Sequence, residues 1–260
     1  MHSQVGCFKM EDNEIHFVYP ISWITVSPAF TDFMTKLFKE AKKDITIADF
    51  ASGEHDRVPS FFIRHLPRLL GLQDESIGKV YVYSIDLHSL RLDSLLGKHE
   101  ESHLLDRARV VRAKIESMDQ DAAMRPAMTE FIQEHPDTAI WLDDFLIEEN
   151  RFPPECFDLG VLNNDIIGYM LEYYQTHSDV IVGLQKVRSS IRTGGLLAVT
   201  MPCSLYVLNN VAALEKSGFE FLEGFDVDLS TKEVTFVEKD AEPGTMSRLG
   251  HYTLLLFTAK

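Results

Sequence analysis

The sequence predicts an α/β fold: a mostly parallel sheet with helices on both faces. Three observations predict it. Short β-branched, apolar runs alternate with amphipathic stretches along most of the 260 residues, the pattern of strands joined through helices. One run, Ile45–Phe50, carries an acid at Asp49 and passes through Ala51-Ser52-Gly53 into a stretch of helical spacing. A first strand hands over to a first helix in this way in nucleotide-binding sheets, where small residues let the backbone approach a ligand. The composition, 45% hydrophobic and 25% charged, is globular and sufficient for one large core.

The elements follow in order. Residues 1–29 are aromatic-rich (Phe8, Phe17, Tyr19, Trp23) and read as an N-terminal lid or substrate segment. Phe30 to Lys42 is an amphipathic helix with Phe30, Phe33, Met34, Leu37, Phe38 and Ala41 on one face. Ile45–Phe50 is strand one. Val58 to Leu72 is helical, with Pro59 near its start and a bend at Pro67. Lys79–Asp86 is strand two. Residues 88–138 read as a helical insertion between strands two and three. Leu104, Ala108, Val111 and Ile115 form one stripe there, and a second helix opens at Arg125-Pro126. Strand three is Ala139–Leu142, strand four Phe157–Leu162 and strand five Gly195–Thr200. Ile166 to Ser190 holds one long helix or two shorter ones. Leu205–Ser217 is a helix stopped by Gly218. Gly218–Phe225 and Tyr252–Ala259 close the sheet. No helix is evident between them, only a loop with a hairpin arm at Glu233–Val237, so an antiparallel edge is expected. Without repeats or a low-complexity linker, residues 1–260 read as a single domain.

Charge and patterning narrow the function. A net charge of −15 repels phosphate backbones and disfavours nucleic acid as a partner. The longest apolar runs, such as Thr253–Phe257, are too short to span a bilayer, and no secretory signal is visible at the start. Cys7, Cys156 and Cys203 lack metal spacing and read as reduced thiols of a cytoplasmic protein. His99-Glu-Glu-Ser-His103 has the spacing of a zinc helix. Its polar middle positions and missing third ligand favour a solvated helix start, so no metal site is expected. Asp86, at the end of strand two, can accept both hydroxyl hydrogens of a ribose, in a nicotinamide dinucleotide as well as in other adenosine cofactors. Asn163, Asn164 and Asp165 follow strand four, where ligands collect in open sheets. Asp165 can equally cap the next helix.

The order and spacing of these motifs, over roughly residues 30 to 260, resemble the class I S-adenosylmethionine-dependent methyltransferases. The motifs are Asp49-Phe-Ala-Ser-Gly53, Ile85-Asp86, Leu142-Asp-Asp-Phe145, Pro153-Pro-Glu-Cys-Phe-Asp-Leu-Gly-Val-Leu-Asn163 and Arg192-Thr-Gly-Gly-Leu-Leu-Ala-Val199. The resemblance implies a seven-stranded, doubly wound (Rossmann-like) sheet with an antiparallel last strand. It implies S-adenosylmethionine as cofactor and methyl transfer to an unidentified small-molecule acceptor. It places Asp49 at the cofactor's amino group, Ala51, Ser52 and Gly53 along its methionine part, and His55 at the ligand edge. Asp86 would take the ribose, Leu87 the adenine face, and Asp144 with Phe145 the adenine amine, Asp143 being the competing assignment. Asn163 would line the methionine end, with Asn164 towards the substrate. Ala51 and His55 stand where the family carries glycine, and the connection before strand three is longer than usual. No residue is singled out as catalytic, and the oligomeric state is left open. Two other readings remain: a nicotinamide-dependent oxidoreductase, which wants a fuller glycine turn than Ala51, Gly53 and Asp56 supply, and a non-catalytic cofactor-binding or partner subunit of the same fold.

Overall fold

A computed structural model describes residues 13–40, 44–72, 78–174, 176–202, 207–239 and 249–260. Phe8, Ala41, Cys7, Cys203 and the expected start of the helix at Leu205 lie outside the described residues. The chain opens with α1 (Asn13–Val18), a 3-10 helix (Pro20–Val26) and α2 (Pro28–Glu40). After β1 (Ile45–Phe50) come α3 (Arg57–Ser60), a π-helical turn (Phe61–His65) and α4 (Leu66–Leu69). The wide turn immediately precedes Pro67, whose missing N–H breaks the α ladder at the expected bend. β2 (Val80–Asp86), α5 (Ser89–Glu101), β3 (Ala108–Ala113), β4 (Ala122–Met124), α6 (Pro126–Glu134) and α7 (Trp141–Glu149) follow. Next are β5 (Phe157–Leu162), α8 (Ile166–Tyr173), α9 (His177–Ser190), β6 (Ile191–Pro202) and α10 (Val207–Lys216). The chain ends with β7 (Phe219–Asp228), β8 (Val234–Phe236) and β9 (His251–Ala259).

Among the described residues these strands form one nine-stranded sheet in the order β4-β3-β2-β1-β5-β6-β9-β7-β8. β3, β2, β1, β5 and β6 are mutually parallel. β9 runs antiparallel between β6 and β7. The expected count of seven is therefore exceeded by two three-residue edge strands, β4 and β8, each antiparallel to its neighbour. β8 is the hairpin arm expected at Glu233–Val237; β4 is too short to carry a hydrophobic period of its own. The antiparallel character expected at the edge includes an internal strand, β9.

The core lies on the two faces of this sheet. Ile45, Ile47, Val80, Val82, Leu159 and Val161 pack on one face with Phe30, Met34 and Phe38 of α2 and with Val58, Phe61 and Phe62. Ala48, Phe50, Tyr83, Ile85 and Leu197 pack on the other with Leu142, Leu146, Leu184, Val187 and Leu214. Strands buried on both faces read as continuous apolar runs, which is why β1, β2 and β5 are plain in the sequence.

Strand three is where sequence and structure part. The segment expected to be a strand, Ala139–Leu142, leads instead into helix α7. The third parallel strand is Ala108–Ala113, inside the stretch expected to be a helical insertion. Residues 88–138 thus contain a core strand and the helix that precedes it. The physical reason is Arg109. An arginine in a strand makes Leu104, Ala108, Val111 and Ile115 look like the apolar stripe of a helix, yet its side chain is completely buried. Arg109 Nε and Nη2 each donate to one oxygen of Asp143 at 3.0 Å. Nη1 and Nη2 also donate to the Leu105 and Thr138 carbonyls at 2.8 and 2.6 Å. Asp143 accepts further from the Tyr83 hydroxyl at 2.8 Å and from the Ile140 N–H at 3.0 Å, so it closes the start of α7. Every polar group of the pair is satisfied, the condition for keeping two charges in a core.

Removing one partner leaves the other charged and buried. Asp143→Ala should therefore lower stability by about 3–5 kcal/mol, read as a fall in the urea midpoint at unchanged m-value.

Candidate functional site

A hollow of about 920 Å³ opens at the carboxyl ends of β1, β2, β3 and β5. It sits over the β1–β5 junction, where the sheet order reverses and ligands bind in open α/β folds. Each strand brings a short connection to it. β1 delivers Asp49, Ala51, Ser52, Gly53 and His55. β2 delivers Asp86, Leu87 and His88; β5 delivers Asn163 and Asn164. Nine of the residues expected from sequence thus share one rim: Asp49, Ala51, Ser52, Gly53, His55, Asp86, Leu87, Asn163 and Asn164. Asp143, Asp144 and Phe145 do not line it. Asp143 is held by Arg109, Asp144 is exposed on α7, and the ring of Phe145 lies under the Arg151 guanidinium at 5.3 Å.

Asp86 shapes the rim. One oxygen accepts from the Gly53 N–H at 3.0 Å and the other from the His88 N–H at 2.8 Å. The Ser52 N–H donates to the Ile85 carbonyl at 3.0 Å. These bonds fold the β1 turn against the end of β2. The turn needs left-handed backbone at Ala51 (φ 55) and Gly53 (φ 66). A Cβ on Gly53 would meet no protein atom within 4 Å, so conformation and an open approach are what glycine provides there.

Asp49 is different. Its side chain is 1% exposed, and Oδ1 makes no hydrogen bond among the described residues. In register it lies opposite Ser84 of β2 and Val161 of β5, one pleat from Asp86 on the same sheet face. The Ser84 hydroxyl is equally unpartnered. Burial, and then the charge of Asp86, hold the Asp49 carboxyl well above the usual carboxylate range.

The β5 side is built by polar contacts across the sheet. Thr200 Oγ1 donates to Asn163 Oδ1 at 2.7 Å and accepts from the Asn164 N–H at 2.9 Å. The Tyr252 hydroxyl, on β9, reaches Asn163 Oδ1 at 3.3 Å. Asn164 and Asp165 both adopt left-handed backbone, and Asp165 caps α8 by accepting from the Gly168 N–H at 3.2 Å. Capping, the second of its two readings, is its role in the structure.

Several lining residues were not expected from sequence. Because strand three lies at 108–113, its exit Lys114-Ile115-Glu116 replaces the expected acid pair at the rim. Glu116 accepts from the Tyr174 hydroxyl, whose pKa is raised by burial and by this contact. The local signal was the β-branched pair Val110-Val111, flanked by two arginines. Pro20 and Ile21 bring the N-terminal segment to the hollow. Two aromatic residues of that segment lie away from the hollow's lining: Trp23 is buried and stacked on His16 at 4.2 Å, and Phe17 is 81% exposed. Tyr169 and Tyr173 of α8 stack at 6.0 Å along the other side.

The zinc-like spacing dissolves in the structure. His99 is fully buried on α5, while His103 lies beyond the helix end in a left-handed turn. No cluster of three or more potential ligands that could hold a metal ion exists among the described residues. Burial, opposed by Asp56, pushes His99 down to about 4. No described helix is long and apolar enough to cross a membrane.

No protein-family description and no curated protein matches the chain. Solved structures similar to it include a SAM-dependent methyltransferase from Aquifex aeolicus, 12% identical, covering 97% of this chain and 100% of that one, with a TM-score of 0.48. A TehB-like SAM-dependent methyltransferase from Corynebacterium glutamicum is 14% identical, covers 93% and 96%, and has a TM-score of 0.49. A geranyl diphosphate C-methyltransferase from Streptomyces coelicolor, solved with geranyl diphosphate and S-adenosyl-L-homocysteine, is 12% identical, covers 89% and 80%, and has a TM-score of 0.45.

A histidine buried in its neutral form makes the fold sensitive to acid. Its folded pKa of about 4 lies below the unfolded value of 6.5, so the unfolded chain binds the extra proton between them. Its contribution is fully present above pH 6.5 and is lost as pH falls towards 4, by up to roughly 3 kcal/mol. Urea melts of His99→Leu across pH 4 to 7 should show a flatter acid limb than the parent. The chain's sheet order and strand directions are those of a doubly wound, Rossmann-like α/β sheet with an antiparallel strand beside β6.

Proposed function

We propose that the chain is an S-adenosylmethionine-dependent methyltransferase acting on a small-molecule acceptor. The observation that carries this reading is the gathering of Asp49, Ala51–Gly53, Asp86 and Asn163 on one rim of the sheet. The buried, unpartnered oxygen of Asp49 suits a positively charged ligand. The left-handed bend at Ala51 and Gly53 leaves room for an extended chain beside it.

The residues divide along the cofactor. Asp86 retains lone pairs beyond the two that hold backbone N–H groups, and these accept from ribose hydroxyls. Leu87 and Ile115 flank the purine from the ends of β2 and β3. Glu116 takes the part first assigned to Asp143 or Asp144, accepting from the adenine amine. Arg57 lines the hollow just past the β1 turn and suits the amino-acid carboxylate. The cofactor supplies an electrophilic methyl on a sulfonium whose thioether leaves without an acid. The chain's own task is therefore chiefly to bind and align.

The acceptor half is bounded by Pro20 and Ile21 on one side and by Tyr169 and Tyr173 on the other. The two tyrosine rings are 56% and 71% exposed and nearly parallel, at 15°, a flat wall that suits a planar or apolar molecule. The N-terminal segment serves as the cover of this half. The acidic surface keeps nucleic acid out of consideration.

Ligand-dependent melting tests the reading. S-adenosylmethionine and S-adenosylhomocysteine at about a hundred times their dissociation constants should each stabilise by about 2.7 kcal/mol, a rise of roughly 5–10 °C. NAD and zinc should not. Stabilisation by NAD alone would replace this proposal with the oxidoreductase. Calorimetry should find cofactor binding to Asp86→Ala weaker by about 1.5–3 kcal/mol; unchanged affinity would remove Asp86 from the site.

A further inference from the structure

The β5 rim carries an amide whose direction its hydrogen bonds decide. Thr200 Oγ1 accepts from the Asn164 N–H at 2.9 Å, so its own hydrogen needs an acceptor, and Asn163 Oδ1 provides one at 2.7 Å. The buried Tyr252 hydroxyl donates to the same oxygen at 3.3 Å. Both lone pairs of that oxygen are thus engaged. Turned the other way, the amide would offer hydrogens to two hydroxyls and leave at least one buried hydroxyl hydrogen without an acceptor among the described residues. Asn163 also lines the hollow, so the face it presents there is its NH2 group, a donor.

Position decides what this donor can serve. In the sheet order β5 lies between β1, whose turn takes the cofactor's methionine part, and β6 and β9. Tyr252 of β9 packs in one cluster with Trp23 of the N-terminal cover. Asn163 therefore stands where the cofactor half of the hollow passes into the acceptor half. A donor gains nothing by facing an ammonium or a sulfonium, both cationic, and the cofactor's carboxylate has Arg57. An amine acceptor would bring its own N–H groups against the amide. An oxygen anion would accept from it in a charge-assisted bond. The β5 rim holds no base to make such an anion: Thr200 and Asn164 do not titrate, Tyr252 is held neutral by burial, and Asp165 is engaged in its helix cap. Beyond Arg57, two exposed cations, Arg91 and Lys114, line the hollow of a chain whose net charge is −15. They draw anions to an opening that the rest of the surface repels.

We propose that Asn163 donates to the attacking oxygen of the acceptor, with Thr200 and Tyr252 as its positioning residues, and that the acceptor is a small molecule carrying an oxygen anion, a carboxylate or an acidic phenol. This deepens the proposed function above and rests on it. One lone pair of the anion accepts from the amide, and another is thereby aimed at the methyl carbon. The C–O bond forms as the C–S bond breaks, and the electron pair of the latter goes to sulfur, which becomes a neutral thioether. The product is a neutral methyl ester or ether, and no proton moves.

The test starts with calorimetry of S-adenosylhomocysteine on the full chain. The saturated complex is then titrated with three flat probes: 4-nitrophenol, benzoate and benzylamine. The parent should bind 4-nitrophenol as the yellow phenolate, read from the absorbance of the bound dye, and should bind an anion at least about tenfold more tightly than benzylamine. Preference for benzoate assigns a carboxylate acceptor, and preference for nitrophenolate assigns a phenol. Asn163→Asp keeps an oxygen for Thr200 and Tyr252 and turns the donor face into an acceptor. It should bind both anions about ten- to a hundredfold more weakly, the loss of a hydrogen bond to a charged group, with S-adenosylhomocysteine affinity little changed. The parent's ranking of the probes needs no variant. Bound nitrophenol in its neutral form, benzylamine binding as tightly as the anions, no binding of either anion, or equal anion affinity in Asn163→Asp would each overturn the inference. So would a loss in the variant confined to S-adenosylhomocysteine, which would place the donor on the cofactor. In all these cases binding of S-adenosylhomocysteine to the parent leaves the methyltransferase reading standing; its failure to bind would overturn that reading and the inference with it.

Discussion

One carboxylate fixes the geometry on which the site depends. Asp86 accepts from the Gly53 N–H with one oxygen and from its own connection, at His88, with the other. Two turns that leave adjacent parallel strands are thereby held at a common height. Parallel sheets bring several loops to one rim but do not fix the loops themselves. Here a side chain at the last position of β2 does so, and the left-handed bend at Ala51 and Gly53 is the shape that results. The hollow is a consequence of this tie together with the reversal of strand order between β1 and β5.

The β5 edge is tied differently. Asn163 and Asn164 are held through Thr200 of β6, and Tyr252 reaches the same Asn163 oxygen from β9. Five strands contiguous in the sheet thus set the rim on both sides of the junction. The N-terminal segment joins this arrangement because α2 packs on the same sheet face as Ile47 and Val161, bringing Pro20 and Ile21 to the opening.

Such long-range ties mark the limit of what the sequence makes legible. β1, β2, β5 and β6 are visible as apolar runs because both their faces are buried. The rim residues that directly follow β1, β2 and β5 are legible with them. Strand three is not, because its burial includes an arginine whose partner is 34 residues away. Local patterning reads the stretch around Arg109 as a helix, and the resemblance offers Asp143 as an alternative ligand contact, whereas the two are each other's counter-ion. The same misreading put Asp143-Asp144-Phe145 at the rim, where Lys114-Ile115-Glu116 stand, and turned a core strand into an insertion. The edge strand β4 fails for a simpler reason: three residues carry too little period to read, whereas β8 falls within the hairpin arm expected at Glu233–Val237. Thr200 and Tyr252 carry no local signal at all, since each acts on a loop that precedes it by dozens of residues.

The contrast between Asp143 and Asp49 shows how buried charge separates architecture from function in this sheet. Both are aspartates in the interior, on opposite faces. Asp143 is surrounded by donors: a bidentate guanidinium, a phenol and a backbone N–H. Nothing further could be added to it, and its removal would cost structure. Asp49 has an oxygen with no donor and a second carboxylate for a neighbour. A sheet stabilised only for its own sake would place an apolar residue there, as β5 does with Val161 directly beside it. A polar group kept incomplete on the wall of a hollow makes sense when a ligand completes it. In the proposed reading the ligand brings positive charge to it. Satisfaction of hydrogen bonds, more than burial or charge, is what distinguishes an acid that holds this fold together from one that waits for a partner.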